Sequence, residues 1–336
     1  MNALETRLKK MIEENGPVDI GTLMTLAIGH YYSTRDPFGA RGDFTTAPEI
    51  SQMFGEMIGV CLADAWLKMG SPNPATLVEA GPGRGTLMAD ILRAMKSVPG
   101  FHDAAQIHLI EMSPVLKEKQ EETLKDYKIF WHESLDSIPQ QGPLFFVANE
   151  FLDALPMRQF QFAQNAWHER VIGVDGEDFF VGLIPSGLTL PAGNDNAVFE
   201  LSPQRENFVT SVAERISEAG GVALFIDYGH DQSGFGDTLQ AVKDHQFTDV
   251  LQNLGEADLT SHVDFAAVKK AAHGVAVFGP VGQGDFLKNM GIEFRAQRLG
   301  QQAELERLIS SQQMGDLFRV IGLCHDAGLQ LAGFGK

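Results

Sequence analysis

The sequence predicts an α/β protein built on a mostly parallel, doubly wound sheet. Apolar runs of strand length alternate with amphipathic helical stretches, and one such run ends in a glycine-rich turn that opens a helix. Polar residues also collect just after several of the runs, where open parallel sheets bind ligands. The first 35 residues stand apart from this alternation. They hold two helical patterns, Leu4-Leu8-Met11-Ile12 and Ile20-Leu23-Met24-Ala27-Ile28, separated at Asn15-Gly16-Pro17. We read residues 1–45 as a helical cap followed by a lid loop at 36–44, which carries Gly39 and Gly42, and 46–336 as the main α/β domain.

The main domain opens at Pro48, which suits a first helical turn, with Glu49 favourable at the positive helix start. From Ile50 through Met53, Phe54, Met57, Ile58, Cys61, Leu62, Ala65 and Trp66 a 3.6-residue period marks a core helix. Strand candidates follow at 75–79, 107–111, 128–132, 144–149 and 222–227. Between the fourth and fifth, short strands at 157–162, 167–174 and 178–184 are joined by turn signals such as Asp175-Gly176-Glu177, so 157–200 reads as an inserted antiparallel ribbon. Ser202-Pro203 opens the helix that returns the chain to the sheet. Beyond Tyr228 a stretch rich in Gly and Asp reads as a loop to about residue 246. The remainder predicts a helix at 264–272 capped by Asp264, helices at 294–310 and 316–327, and a short last strand.

The strand at 75–79 ends on Glu79 and turns through Gly81-Pro82-Gly83-Arg84-Gly85 into a helix. Glycines in such a turn let the backbone approach a ligand closely. A dinucleotide fingerprint would need its third glycine at position 86, where the chain has Thr86; the pattern here is G-x-G-x-G. Glu79 would sit badly beside an anionic pyrophosphate and well beside the ammonium and sulfonium of S-adenosylmethionine (SAM), which makes SAM the expected cofactor. The run 107–111 ends on Glu111, 26 positions after Gly85, where a carboxylate can accept both ribose hydroxyls. The plainer alternatives are a glycine turn without a ligand and an exposed strand-end charge.

With 44 acidic against 26 basic residues the chain carries a net charge of −18 and a pI near 4.9, which argues against nucleic-acid backbone binding. The two cysteines, Cys61 and Cys324, lie far apart, and the ten histidines lack ligand spacing, so neither a disulfide framework nor a metal is expected. No apolar stretch approaches the roughly 20 residues that span a bilayer. The first residues lack the character of a secretory or transit signal, so a cytoplasmic location is expected.

The polar end of the fourth strand is Asn149-Glu150-Phe151-Leu152-Asp153. In a SAM methyltransferase this end faces the transferable methyl, which places Asn149, Glu150 and Asp153 in the acceptor site. Glu150 and Asp153 could hold a guanidinium by paired hydrogen bonds and direct one nitrogen at the methyl. Alternatively the two carboxylates only cap the following turn. Two later polar ends, Asp227-Tyr228-Gly229 and the stretch from Asp258 to Phe265, could also contribute.

Several segments together resemble the MidA family (DUF185). They are Gly42-Asp43-Phe44-Thr45-Thr46-Ala47-Pro48-Glu49, Glu79-Ala80-Gly81-Pro82-Gly83-Arg84-Gly85, Asn149-Glu150-Phe151-Leu152-Asp153-Ala154-Leu155-Pro156 and His262-Val263-Asp264-Phe265. The likeness runs over nearly the whole chain and implies a class I, Rossmann-like SAM-methyltransferase fold. The family's mitochondrial member is a complex I assembly factor and protein-arginine methyltransferase, so the resemblance implies arginine methylation of a complex I subunit as the activity. This chain departs from the family after His30, where Tyr31-Tyr32 replace a longer His-Pro-containing link. A small-molecule methyltransferase, or an assembly factor that binds SAM without catalysis, are the competing readings.

Overall fold

The computed structural model describes residues 2–34 and 46–335; the lid loop expected at 36–44 lies outside them. The chain opens with α1 (Ala3–Asn15), β1 (Val18–Asp19) and α2 (Ile20–Thr34). Asn2 caps α1 in a reciprocal box with Glu5, and Leu4, Leu8 and Ile12 on its inner face pack with Ile20, Leu23, Met24 and Ala27 of α2. After α3 (Ala47–Ile50), Ser51 takes an extended conformation and caps α4 (Gln52–Lys68), so the core helix begins two residues later than its apolar period suggests. Next come β2 (Ala75–Ala80), α5 (Thr86–Met95), α6 (Phe101–Ala104), β3 (Ala105–Ile110), α7 (Pro114–Thr123), β4 (Ile129–His132) and β5 (Leu144–Asn149).

The insertion supplies β6 (Arg158–Ala163), β7 (Ala166–Asp175), β8 (Asp178–Pro185) and β9 (Val198–Leu201), all antiparallel. On its open edge β7 also takes up β1, with Val18 opposite Ile172 and Asp19 opposite Val171, so the N-terminal cap and the insertion share one sheet. Then α8 (Pro203–Ala219) leads to β10 (Gly221–His230). The stretch expected as a loop instead carries β11 (Gln240–Lys243) and β12 (Gln246–Thr248), which pair with each other, while β11 also pairs with β13 (Asp258–Thr260). The chain ends with β14 (Val263–Asp264), α9 (Phe265–Ala271), β15 (Ala276–Gly282), α10 (Gln283–Asn289), α11 (Ile292–Leu299), α12 (Gln302–Ile309), α13 (Met314–Leu317) and β16 (Phe318–Cys324). The helix expected at 316–327 is therefore mostly a strand, and the one at 294–310 is two helices divided at Gly300, where φ is +71°.

The central sheet runs β15-β16-β10-β5-β2-β3-β4, with β14 beside the far end of β10. The five strands from β10 to β4 are parallel; β16 is antiparallel to both its neighbours. Alternate residues face opposite layers. Leu77, Phe145, Val147, Leu224 and Ile226 pack against α4 and α5, whereas Val78, Phe146, Ala148, Ala223 and Phe225 pack against α8 and α9. α4 meets α5 at backbone distance because Gly55 and Gly59 present no side chain there; a Cβ on Gly55 would lie 2.5 Å from Asp90 Cβ. From β2 the chain builds outward through β3 to β4 and then returns to β5 on the other side, which puts the topological switch point between β2 and β5.

Candidate active site

Both expected clusters meet at that switch point. β2 ends in the glycine turn, where Gly81, Gly83 and Gly85 take φ of +67°, +52° and +83°. A Cβ on Gly81 would press to 2.9 Å from the Phe151 ring, so the turn needs glycine for both conformation and space. α3 lies against this turn: the Thr86 hydroxyl, on the first residue of α5, donates to Glu49 Oε1 at 2.6 Å.

Glu79 is 2% exposed, and its Oε2 is buried without a donor among the described residues. Burial lifts its carboxyl to about 8 although the Met88 N–H donates to it, and the Asp90 and Glu111 charges push in the same direction as burial. Glu111, half-buried at the end of β3, is held in place by the Ser113 N–H on Oε1 at 2.7 Å and Gln120 Nε2 on Oε2 at 3.0 Å. Gln120 is fully buried and also donates to Gly83 O at 2.7 Å, while its own Oε1 accepts from Trp131 Nε1 at 2.8 Å. One amide thus ties the glycine turn to the strand-end carboxylate. No periodicity or motif marks Gln120, and sequence reasoning missed it.

At the end of β5, Glu150 has φ of +50°, a left-handed conformation uncommon for a side chain with a Cβ. Asp227, which lies inside β10 because that strand runs three residues past the end expected at 227, is what shapes this turn. Its Oδ2 accepts the backbone N–H of Phe151, Leu152 and Asp153 at 3.2, 2.9 and 3.1 Å, and Glu150 N–H donates to Ile226 O. Glu150 Oε1 then accepts from Asn149 Nδ2 at 3.1 Å and from Ala47 N at 3.3 Å. Burial and the Asp153 charge lift Glu150 to about 7, against those two hydrogen bonds. Asn149 is 7% exposed and its Oδ1 has no donor among the described residues.

Asp153 is 5% exposed and engaged on both oxygens, Oδ2 by the Tyr228 hydroxyl at 2.6 Å and Oδ1 by Ala154 N–H at 2.8 Å. Burial raises the carboxyls of Asp153 and Asp227. The charge of Arg205 acts on both, and its guanidinium donates to the carbonyls of Asp153, Ser261 and His262 and to Ser261 Oγ. Burial lowers its pKa and the surrounding negative charges oppose that. The sequence marks Asp227 and Tyr228 as a polar strand end; Arg205, on a helix face, gave no such signal.

The unmet demands of this site fit one kind of ligand. Glu79 needs a cation with donors, Glu111 is set to accept hydroxyls, and three glycines leave the backbone between them open to close approach. SAM has an ammonium and a sulfonium at one end and two ribose hydroxyls at the other, and it fits. Fold and site together define a class I SAM-dependent methyltransferase.

Residues 57–281 match the family described as "Putative S-adenosyl-L-methionine-dependent methyltransferase" (Methyltransf_28), and the chain belongs to this family. Its relatives include the mitochondrial protein arginine methyltransferase NDUFAF7 of Danio rerio, 36% identical over 96% of this chain and 87% of that protein. The Homo sapiens counterpart is 33% identical over 95% of this chain and 82% of its own length. Among solved structures, a COG1565 superfamily member from Burkholderia thailandensis bound to S-adenosyl-homocysteine superposes with a TM-score of 0.83. It is 26% identical and covers 99% of this chain and 93% of its own. Among the described residues, no helix is long and apolar enough to cross a membrane.

Proposed function

We propose that this methyltransferase modifies the guanidinium of an arginine in a protein, a subunit of respiratory complex I, in the bacterial cytoplasm. The observation that carries the reading is the buried Asn149 Oδ1 without a donor, one residue from the Glu150 carboxylate at the end of β5. A guanidinium brings positive charge and several N–H donors in one plane, which a carboxylate and an amide oxygen side by side accept. The naming of the relatives as protein arginine methyltransferases supports the same acceptor. Cys61 and Cys324, both buried and free, suit a reducing compartment.

In this reading Glu79 holds the ammonium end of SAM, Gly81, Gly83 and Gly85 admit its chain, and Glu111 receives the ribose hydroxyls. When bound, SAM supplies a methyl group made electrophilic by its sulfonium. Asn149 and Glu150 orient the guanidinium, and Glu150, held near 7, takes the proton that the methylated nitrogen gives up. Asp153, with both oxygens engaged, positions the Tyr228 hydroxyl as a wall of the acceptor site and adds its charge to the field there.

The test is mass spectrometry of complex I subunits from cells with and without the gene, joined to transfer assays on the peptide so found. An arginine methylated only in the presence of the gene is expected. Glu150→Gln should lower transfer by about 10²-fold, the scale of one lost preorganised partner, and leave SAM affinity within about twofold. Methylation confined to a small molecule, or normal transfer by the variant, refutes the reading.

A further inference from the structure

Past Tyr228 the described residues enclose a second cavity, of about 260 Å³, which the methyl-transfer site leaves unused. Tyr228 spans the two: its hydroxyl is on Asp153, and its ring meets the His262 ring edge-on at 5.6 Å between centroids. His262 lines the cavity together with Glu200, Glu206, Asp264, Arg205 and Phe235.

The lining is rich in hydrogen-bond acceptors. Glu200 is fixed by Gln159, by the Thr238 N–H and by the Thr238 hydroxyl; among the described residues it makes no ion pair, and Arg205 acts on it only through its charge. Asp264 caps α9 through one oxygen. Glu206 stands in the first turn of α8; burial and the Asp264 charge raise its pKa, with Lys270 opposing. His230, also at the wall, faces Gln232 O through Nδ1 at 2.8 Å, so in its neutral form Nε2 remains an acceptor. Arg205 adds a complementary need. It is 5% exposed, and its Nε is buried with no acceptor among the described residues, although both terminal nitrogens are bonded. Three carboxylates exceed the charge of the one guanidinium in the wall, and with an Arg205 Nε that lacks an acceptor they suit a basic residue in an extended polypeptide, which brings both a cation and carbonyl oxygens. Phe235, half-exposed at the wall, offers an apolar surface for the aliphatic stem of that residue.

We infer that this cavity is a specificity subsite for a lysine or arginine side chain close in sequence to the methylated arginine. The inference rests on the reading of the acceptor as a protein arginine and adds a second requirement to it. The enzyme thus selects a two-cation sequence pattern rather than any exposed arginine.

A set of peptides with one central arginine in a neutral background, and a single lysine moved through each of the five positions on either side, tests this. Transfer from SAM is read by mass spectrometry and binding by fluorescence anisotropy on protein loaded with S-adenosyl-homocysteine. One or two lysine positions should raise kcat/KM about tenfold through KM, and Glu206→Gln should bring the ratio of lysine-bearing to lysine-free peptide close to one. A lysine effect below twofold at every position, or a preference that survives Glu206→Gln, overturns the subsite. If no peptide is methylated, the arginine reading fails on its own, and the anisotropy ratio still decides whether the cavity takes a cation. An unchanged melting temperature of Glu206→Gln with S-adenosyl-homocysteine bound confirms that the variant is folded.

Discussion

Replacing Glu79 by glutamine should stabilise the cofactor-free protein while weakening its hold on SAM. The Glu79 carboxyl sits at about 8 in the fold against an ordinary value of 4.5. At about 1.4 kcal/mol for each tenfold in proton affinity, keeping it ionised costs about 5 kcal/mol above pH 8, and its burial costs about 3 kcal/mol at pH 7. The sign follows from proton counting. Between pH 4.5 and 8 the folded protein holds a proton on Glu79 that the unfolded chain has lost, so stability falls as pH rises through that window. Glutamine removes this slope and loses about 1 kcal/mol through a weaker bond from the Met88 N–H. Urea unfolding of both proteins without SAM at pH 5, 6, 7, 8 and 9 measures the difference directly. Buried carboxyls that do not act on Glu79, such as Glu150, contribute equally to both proteins and cancel. The two stabilities should diverge by about 2 kcal/mol at pH 7 and about 4 kcal/mol at pH 9. Calorimetry should show the wild type releasing protons as SAM binds, and the variant binding more weakly without that release. Parallel stability curves, or equal SAM affinity, would refute the placement of an unpaired carboxylate opposite a cation.

Glu111→Ala should weaken SAM binding by about 1.5–3 kcal/mol, the scale of hydrogen bonds to a charged group, measured by calorimetry; an unchanged affinity would move the ribose elsewhere. Gly81→Ala, forced to φ of +67° with its Cβ against Phe151, should lose about 1–2 kcal/mol of stability in thermal melts and lose SAM binding as well. Glu56 is 5% exposed; burial works to raise its carboxyl, but Arg295 at 2.7 and 2.9 Å and Arg93 at 3.3 Å outweigh this and lower it. Because both arginines are partly exposed, Glu56→Gln should cost only about 2 kcal/mol. Glu56 stabilises the fold above its unfolded pKa of 4.5, so the gap between variant and wild type should close as acid protonates it, which unfolding at pH 7 and pH 4 would show.

Most of the parallel strands were legible in the sequence because they are apolar runs whose end is marked by a carboxylate or an asparagine, and the insertion because its turns carry signals such as Asp175-Gly176. The C-terminal third was harder. Phe318-Arg319-Val320-Ile321-Gly322-Leu323-Cys324 lacks polar alternation because it is buried on both faces between β10 and β15, and such a run cannot be told from a helix by period alone. β11 and β12 hide in a stretch rich in Gly and Asp because each is short and β11, the middle strand of the three, has its second partner, β13, outside that stretch. At the site, the residues on strand ends could be named in advance. Gln120 and Arg205 could not, since each acts by crossing between elements, and such a bond has no local spacing to betray it.

The pairing of β1 with β7 joins residues about 150 positions apart in the chain. On a ribosome adding roughly 5–20 residues each second, the strand at Val18 waits about 8–30 s for its partner. During that interval Leu4, Leu8, Ile12, Ile20, Leu23 and Met24, which end up buried, have only one another to cover them. The cap helices thus stay incompletely packed until β7 has been made, and the nascent chain is a natural client for whatever shelters apolar helices at the exit tunnel.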